Sequence, residues 1–127
     1  MIAFFISFFL LFQTCNKDFY EICEIKRTGE INIIYAKKEN RLYKFISFET
    51  NSSRKKGKKI KKGRKYKLLK ESIFNIKIND NGKIIVLENH INIDCIIVKN
   101  INICKEYDVG INDVYMSENL QGLYYIK

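Results

Sequence analysis

The chain has 127 residues, of which 46% are hydrophobic and 29% charged, and it carries a formal net charge of +9. A chain of this length has room for one compact domain and little else. Twenty-two isoleucines, eight tyrosines and nine phenylalanines favour strands, whereas two alanines leave few strong helix formers. Nine positive charges fall in residues 54–65, and the rest of the chain is balanced, with fourteen basic and fourteen acidic residues. The basicity is therefore one local feature, which excludes a generally basic protein.

The first twelve residues are almost entirely apolar and contain no charged side chain. A membrane-spanning helix needs roughly 20 such residues, whereas the hydrophobic region of a secretory signal has about 7–15. We therefore expect residues 1–14 to be a signal peptide, with the departure that its usual positively charged start is missing.

A cysteine follows the apolar segment directly. Residues 11–15, LFQTC, resemble a loose lipobox, the motif at which bacterial lipoproteins are cleaved and diacylated; Phe12 and Thr14 depart from its strict form. The next residues, NKD, resemble the start of Bacteroidota lipoproteins that are transported to the cell surface. This resemblance implies lipidation of Cys15, a tether at residues 15–19 and an exported protein anchored to the outer membrane or cell surface. A soluble secreted or periplasmic protein is the alternative, and a cytosolic or wrongly started chain is the third reading.

Behind this segment, short apolar runs alternate with turn signals, which is the pattern of an all-β domain. Residues 20–26, 31–35 and 42–49 are the first three predicted strands, and together they predict a meander. The expected inward faces consist of Ile31, Ile33 and Tyr35 in the second strand and of Leu42, Ile46 and Phe48 in the third.

The basic segment, RKKGKKIKKGRK, follows the predicted meander. Nine like charges repel one another, so we expect a mobile loop or splayed hairpin that does not pack. Such a segment attracts phosphate or sulfate groups with an affinity that falls steeply with salt. A solvated loop without a partner is the alternative reading. The candidate polyanion-binding residues are Arg54, Lys55, Lys56, Lys58, Lys59, Lys61, Lys62, Arg64 and Lys65.

The expected partners of this segment follow from an exported location. They are the membrane, reached through the lipid anchor, and anionic glycans, lipopolysaccharide or lipid headgroups. Specific nucleic-acid binding is not expected, because no aromatic side chain within the run could stack on bases, and Tyr66 lies just beyond it.

The second half of the chain continues the strand pattern. Residues 80–82, Asp-Asn-Gly, predict a tight hairpin turn, because Asn and Gly tolerate the positive φ that such turns need. All elements together predict one all-β domain, residues 20–127, built as a small antiparallel barrel or sandwich of seven to nine strands. The remaining predicted elements are strands at residues 66–69, 73–78, 83–88, 91–97 and 122–126, the fourth with Ile91, Ile93, Cys95 and Ile97 on its buried face, and a short helix or bent strand at residues 113–120.

Three cysteines remain after Cys15. Cys95 and Cys104 are nearest in sequence, and adjacent strands could bring them within the roughly 4.4–6.8 Å Cα separation of a disulfide. Cys23 then stays free or buried, and without lipidation three pairings of the four cysteines are open. The absence of a CxxC pair speaks against a zinc site, and we expect neither a metal nor a cofactor.

Catalytic residues are not apparent. His90, the single histidine, has no recognisable partner, and the carboxylates show no paired spacing. The sequence therefore favours a non-enzymatic binding or structural module of the cell envelope. A small secreted enzyme and an inhibitor or immunity protein are the alternatives.

Overall fold

A computed structural model describes residues 18–49, 57–80, 82–87 and 93–127, with the backbone alone at residues 76–80 and 83–87. These parts of the chain fold as short strands with one 3-10 turn, Tyr107–Val109. An all-β fold is thereby confirmed, with more strands than expected; the first three have eight to ten residues and the others two to five. The strands are β1 (Phe19–Thr28), β2 (Ile31–Lys38), β3 (Arg41–Phe48), β4 (Lys58–Lys59), β5 (Lys65–Lys67), β6 (Glu71–Ser72), β7 (Ile76–Asp80), β8 (Lys83–Leu87), β9 (Cys95–Val98), β10 (Ile101–Cys104), β11 (Tyr115–Met116), β12 (Leu120–Gln121) and β13 (Tyr124–Tyr125).

Six strands form the central sheet, in the order β5-β1-β2-β3-β11-β6. Strands β1, β2 and β3 pair antiparallel in sequence order, which confirms the predicted meander. Strand β11 pairs parallel with β3 at Tyr115 and Phe45, so the sheet is not purely antiparallel. Three smaller assemblies accompany it: β12-β13-β4, the β9–β10 hairpin and the β7–β8 hairpin. Asp80 pairs with Lys83 in the last of these, so the predicted hairpin is confirmed, and Asn81 of the predicted turn lies outside the described residues.

A bulge in β1 sets which of its side chains face the core. The register with β2 shifts between Ile22 and Glu24, so Cys23 has no partner across the ladder. An extra residue of this kind reverses the alternation of faces beyond it. Tyr20 and Ile22 on one side of the bulge and Ile25 on the other therefore pack into the same apolar cluster.

The meander is covered on both faces. Ile31 and Ile33 of β2 pack into one apolar cluster, whereas Ile34 and Ala36 pack into another. The expected face of β2 is thus buried, and the opposite face is buried as well. Because an apolar cluster packs on each face, β2 is buried along most of its length, as a strand covered on both faces is.

Two apolar clusters form the core on these two faces. The cluster that receives side chains from the β12-β13-β4 sheet is called the groove-side cluster, after the groove described below. The cluster that receives side chains from the β9–β10 hairpin is called the hairpin-side cluster. This layering is sandwich-like, and the described residues form no closed barrel. The groove-side cluster is built on Tyr20, Ile22, Ile34, Ala36, Phe45, Ile60, Leu68 and Leu120, and the hairpin-side cluster on Ile31, Ile46, Phe74, Ile103 and Val114.

Two details of the second half differ from expectation. In β9 the predicted buried face is wrong: Ile97 is 74% exposed, and Ile96 and Val98 pack inward instead. Ile93 is also exposed, and Ile91 lies outside the described residues. Of the short helix or bent strand predicted for residues 113–120, the helix is wrong and the strand is confirmed, because β11 pairs there with β3 and β6.

Candidate functional site

The second half of the basic segment is folded. Ile60, its single apolar residue, is 3% exposed and packs in the groove-side cluster. The Ile60 amide donates a hydrogen bond of 2.8 Å to the Leu123 carbonyl, and β4 pairs with β13 directly before it. The expectation that the segment does not pack is therefore wrong for residues 57–65, because one buried isoleucine and strand pairing hold it.

Backbone hydrogen bonds fix the other end of this segment to β1. The Ile22 amide donates to the Arg64 carbonyl at 3.0 Å, and the Gly63 amide donates to the Ile22 carbonyl at 2.8 Å. Strand β5 continues along the same edge of β1. The cationic side chains of residues 58–65 are therefore carried on a backbone that is attached at both ends, and all of them are exposed.

Gly57 permits a close approach between β4 and the C-terminal strand. Its φ is +88°, and a Cβ atom added there would lie 1.9 Å from the Tyr125 carbonyl oxygen. Only a residue without a side chain fits this position.

An open groove of about 1380 Å³ lies along this segment, bordered by β4, β5 and β13. Seven cationic side chains line it, against a single acidic one, Glu118. We call it the basic groove; its cations are Lys58, Lys59, Lys61, Arg64, Lys65, Lys67 and Lys127.

The groove cations lack carboxylate partners. Among the described residues no ion pair involves any of them, whereas Lys26, Lys37 and Lys99 elsewhere lie within 3.9, 3.5 and 3.4 Å of a carboxylate oxygen. Like charges held together without counter-charges create a positive potential that concentrates anions. The groove is thus electrostatically arranged for an anionic ligand.

Aromatic side chains also border the groove. Tyr66 and Tyr125 lie with ring centroids 5.1 Å apart, and the Tyr66 hydroxyl accepts a 2.9 Å hydrogen bond from the Lys61 amide. Phe19, at the start of β1, is 37% exposed beside them. Of these three, Phe19 and Tyr125 are far from the basic segment in sequence, so only the fold brings them to it.

Of the nine predicted polyanion-binding residues, the structure describes six. Five line the groove, and Lys62 is exposed on the turn between β4 and β5. Sequence reasoning missed Lys67 and Lys127; neither carries a local signal, because one follows the run and the other lies at the opposite end of the chain. Arg54, Lys55 and Lys56 lie outside the described residues, as do Cys15 and His90.

Cys95 and Cys104, the pair favoured by their spacing, form a disulfide between directly opposed positions of β9 and β10, with Cα atoms 4.0 Å apart. Cys23 is free and half-buried at the β1 bulge.

A buried lysine holds the disulfide hairpin against the central sheet. Lys44 is 5% exposed, and its Nζ donates to the Cys104 carbonyl at 2.8 Å and pairs with Glu106 Oε2 at 3.0 Å. The Tyr35 hydroxyl donates to the same carboxylate oxygen at 2.6 Å. Burial opposes ionisation of Glu106, but the bonds from Tyr35 and Lys44 outweigh it and lower the pKa of Glu106. Burial and then Glu106 raise the pKa of Tyr35.

The described residues contain no group of three His, Cys, Asp or Glu side chains suited to a metal ion. Within the same part of the chain, no helix has the length and apolarity needed to cross a membrane. Comparison with family models, curated proteins and solved structures found no match to this chain.

Proposed function

We propose that the protein is a non-enzymatic cell-envelope lipoprotein, anchored through Cys15, whose basic groove binds polyanions. The observation that carries the proposal is the groove itself. It gathers seven cations against one acidic side chain on a backbone fixed by β-pairing and by buried Ile60. This attachment holds the cations close together, which raises the local positive potential.

The physics of the groove favours an extended anion with several charges. A polymer that contacts several lysines releases several counterions, so its affinity exceeds that of a single small ion and falls steeply with salt. The tyrosine pair and Phe19 add surfaces on which sugar rings or acyl chains could pack. Anionic glycans, lipopolysaccharide and lipid headgroups all have this chemistry.

The Cys95–Cys104 disulfide is consistent with export, because bonds of this kind persist in oxidising compartments. Acyl chains on Cys15 would hold the domain at a surface rich in phosphate groups, since each buried CH₂ contributes about 0.8 kcal/mol and two chains suffice for stable anchoring. Anchoring would also raise the local concentration of the anions that the groove binds.

Heparin retention tests the groove. The full chain in non-ionic detergent is compared with a Lys58→Gln/Lys61→Gln variant, because both side chains are exposed in the groove. We expect the variant to elute at lower salt, with the slope of log affinity against log salt reduced by about two, one for each lost contact.

The matched control is Lys26→Gln/Lys99→Gln, which removes two exposed lysines that have carboxylate partners outside the groove. It changes net charge equally and should elute close to the native chain. Equal loss of retention in both variants would mean that heparin senses net charge, and the groove proposal would fail.

Labelling with a palmitate analogue in a bacterial host tests the anchor. We expect the native chain to be labelled and a Cys15→Ser variant to remain unlabelled. Equal labelling of both chains, or of neither, would remove the lipoprotein part and leave the groove for a soluble exported protein.

A further inference from the structure

A second group of cations lies apart from the lysine-rich segment. Lys70 Nζ lies 4.7 Å from the ring centroid of Tyr43 and 4.9 Å from that of Tyr115. Arg41 Cζ lies 5.6 Å from the same Tyr43 ring, and Lys38 Nζ lies 5.4 Å from the ring of neighbouring Tyr20. Lys38 is the last residue of β2, Arg41 is the first of β3, and Lys70 lies in the β5–β6 connection, so the fold assembles them.

The rings beneath the three cations form one packed group. Tyr43 contacts Tyr20 with centroids 5.2 Å apart and Tyr115 at 6.2 Å. Aromatic faces attract cations, which holds the charges over the rings without neutralising them. The cluster therefore positions positive charge while leaving it available to a ligand.

Carboxylates do not balance this charge. None of the three cations forms an ion pair with a described residue. Asp113 lines the cleft, and its Oδ1 accepts bonds from the Ser72 hydroxyl at 2.6 Å and the Val114 amide at 2.8 Å. Partial burial, then Lys38 and Arg41, lower the pKa of Lys70 and outweigh the opposing attraction of Asp113 and Asp18, so repulsion among the cations is not fully compensated.

A small polar cleft of about 360 Å³ opens beside Lys70. Lys105 also lines it, with its ammonium 4.6 Å from the Phe74 ring centroid. Arg41 donates to the Asn112 side-chain oxygen at 3.4 Å, which leaves the Asn112 amide nitrogen as a donor for a ligand. Two ammonium groups and an amide donor are the groups that bind a tetrahedral anion.

We propose that this cleft, between Lys70 and Lys105 and flanked by Arg41, binds a single phosphate or sulfate group. The site is distinct from the basic groove and does not depend on it. Its ligand is a terminal phosphate or sulfate ester, of the kind found on lipid headgroups and on modified glycans, and binding relieves the mutual repulsion of the cations.

Titration with inorganic phosphate, followed by NMR of the tyrosine ring signals, tests this site in the full chain in detergent at pH 7.5 and constant ionic strength. We expect saturable shifts of the Tyr43 and Tyr115 resonances. Lys70→Gln and Lys105→Gln should each raise the dissociation constant about tenfold, as expected for the loss of one charge-assisted contact.

Two variants serve as controls. Lys99→Gln removes a lysine that also lies over a ring, 4.9 Å from the Phe48 centroid, but that has Glu30 as its partner. Lys58→Gln/Lys61→Gln removes charge from the basic groove. Both should bind phosphate like the native chain. Absence of saturable shifts in the native chain, or equal affinity in all variants, would overturn the proposal.

Stability supplies a second readout that a purely structural lysine would not give. Without phosphate, Lys70→Gln should have a melting temperature equal to or above that of the native chain, because it removes repulsion. With phosphate the order should reverse. A lower melting temperature of Lys70→Gln in both buffers would make Lys70 a structural residue and overturn the assignment.

Vesicle flotation and binding to a soluble phosphorylated dextran separate the two sources of the ester. Lys70→Gln is compared in both with Lys70 retained, in a Cys15→Ser/Lys58→Gln/Lys61→Gln background that removes the acyl anchor and weakens the basic groove. Loss of flotation on phosphatidic acid vesicles in Lys70→Gln would assign a lipid headgroup. Loss of dextran binding alone would assign a glycan. Unchanged binding in both arms would overturn the site.

Discussion

The β12-β13-β4 sheet and the β9–β10 hairpin cover opposite faces of the central sheet, and different forces hold them there. On the groove side the cover is attached by packing, because Ile60 and Leu120 are buried in the groove-side cluster. On the hairpin side, a disulfide closes two four-residue strands and a buried lysine bonds to the carbonyl of Cys104. Lysine accordingly has two roles in one protein: Lys44 is part of the structure, and Lys58 lies free on the surface.

This difference explains why the groove side can carry so much charge. Because apolar residues beneath the sheet hold it, its outer side chains need no partners of their own. The hairpin side tolerates fewer substitutions, since Lys44, Glu106 and Tyr35 must all keep their hydrogen bonds. Substitutions of exposed groove lysines should therefore change binding without unfolding, whereas polar substitutions under the hairpin should cost stability.

The largest expected effect is at Gly57. An alanine there would place its Cβ 1.9 Å from the Tyr125 carbonyl oxygen at a φ of +88°. Strain and overpacking together should lower the free energy of unfolding by about 3–5 kcal/mol. Urea denaturation measures the loss, and heparin retention should fall with it, because β4 must move away from β13.

Gly63→Ala is the matched control for this change. Its φ is +87°, nearly the same, but nothing lies within 4 Å of the added Cβ. Only the backbone strain of about 1–2 kcal/mol remains. Equal losses for the two variants would mean that the close approach of β4 to β13 does not contribute to the free energy of unfolding. Packing against β13 would then not be what holds β4 in place.

The disulfide gives the next largest effect. Replacing both Cys95 and Cys104 by serine removes a covalent link across nine positions. Chain-entropy estimates for a loop of about this length give a loss of about 2–3 kcal/mol in the free energy of unfolding. Urea denaturation of the native chain and the double variant measures it.

Cys23→Ser is the control, because this cysteine is free and half-buried, and its replacement should cost less than about 1 kcal/mol. A double variant as stable as the native chain would show that the Lys44 network and packing alone hold the hairpin. The contrast between the two covers would then disappear.

The features that could be predicted from the sequence are those formed by residues close to one another along the chain. The hairpin at Gly82, the meander and the closeness of Cys95 to Cys104 all follow from residues within one hairpin or one run of strands. The buried face of β9 could not be read in this way, because residues 95–98 are apolar in succession and both registers of a strand look alike. Contact with the hairpin-side cluster determines that Ile96 and Val98 face inward.

The candidate groove was predictable in its charge and not in its shape. The sequence of residues 58–65 shows the cations directly. The partner strand of β4, however, lies more than sixty positions away, at Tyr124 and Tyr125. Ile60 is buried and fixes the charged run, a role that the charge pattern alone does not indicate. Long-range pairing of this kind leaves no local pattern.

The smallest effect concerns the carboxylate that joins Lys44 to Tyr35. The pKa of Glu106 lies below its ordinary value of 4.5 in the folded protein, so the unfolded chain binds more protons as the pH falls. The stabilisation by Glu106 is therefore present above pH 4.5 and is lost as the pH falls through the lower folded pKa. We expect Glu106→Gln to cost about 1 kcal/mol at pH 7, since the side chain is one-third exposed, and to cost progressively less below pH 4.5.

Urea denaturation at pH 7 and at pH 3 measures the difference between Glu106→Gln and the native chain. Glu30→Gln is the control, because Glu30 is 73% exposed and pairs with the exposed Lys99, so its difference should stay near zero at both pH values. A cost of Glu106→Gln that does not change with pH would show that the glutamate acts through packing rather than charge. The hairpin side would then be held by the same kind of force as the groove side, with the disulfide as its one distinction.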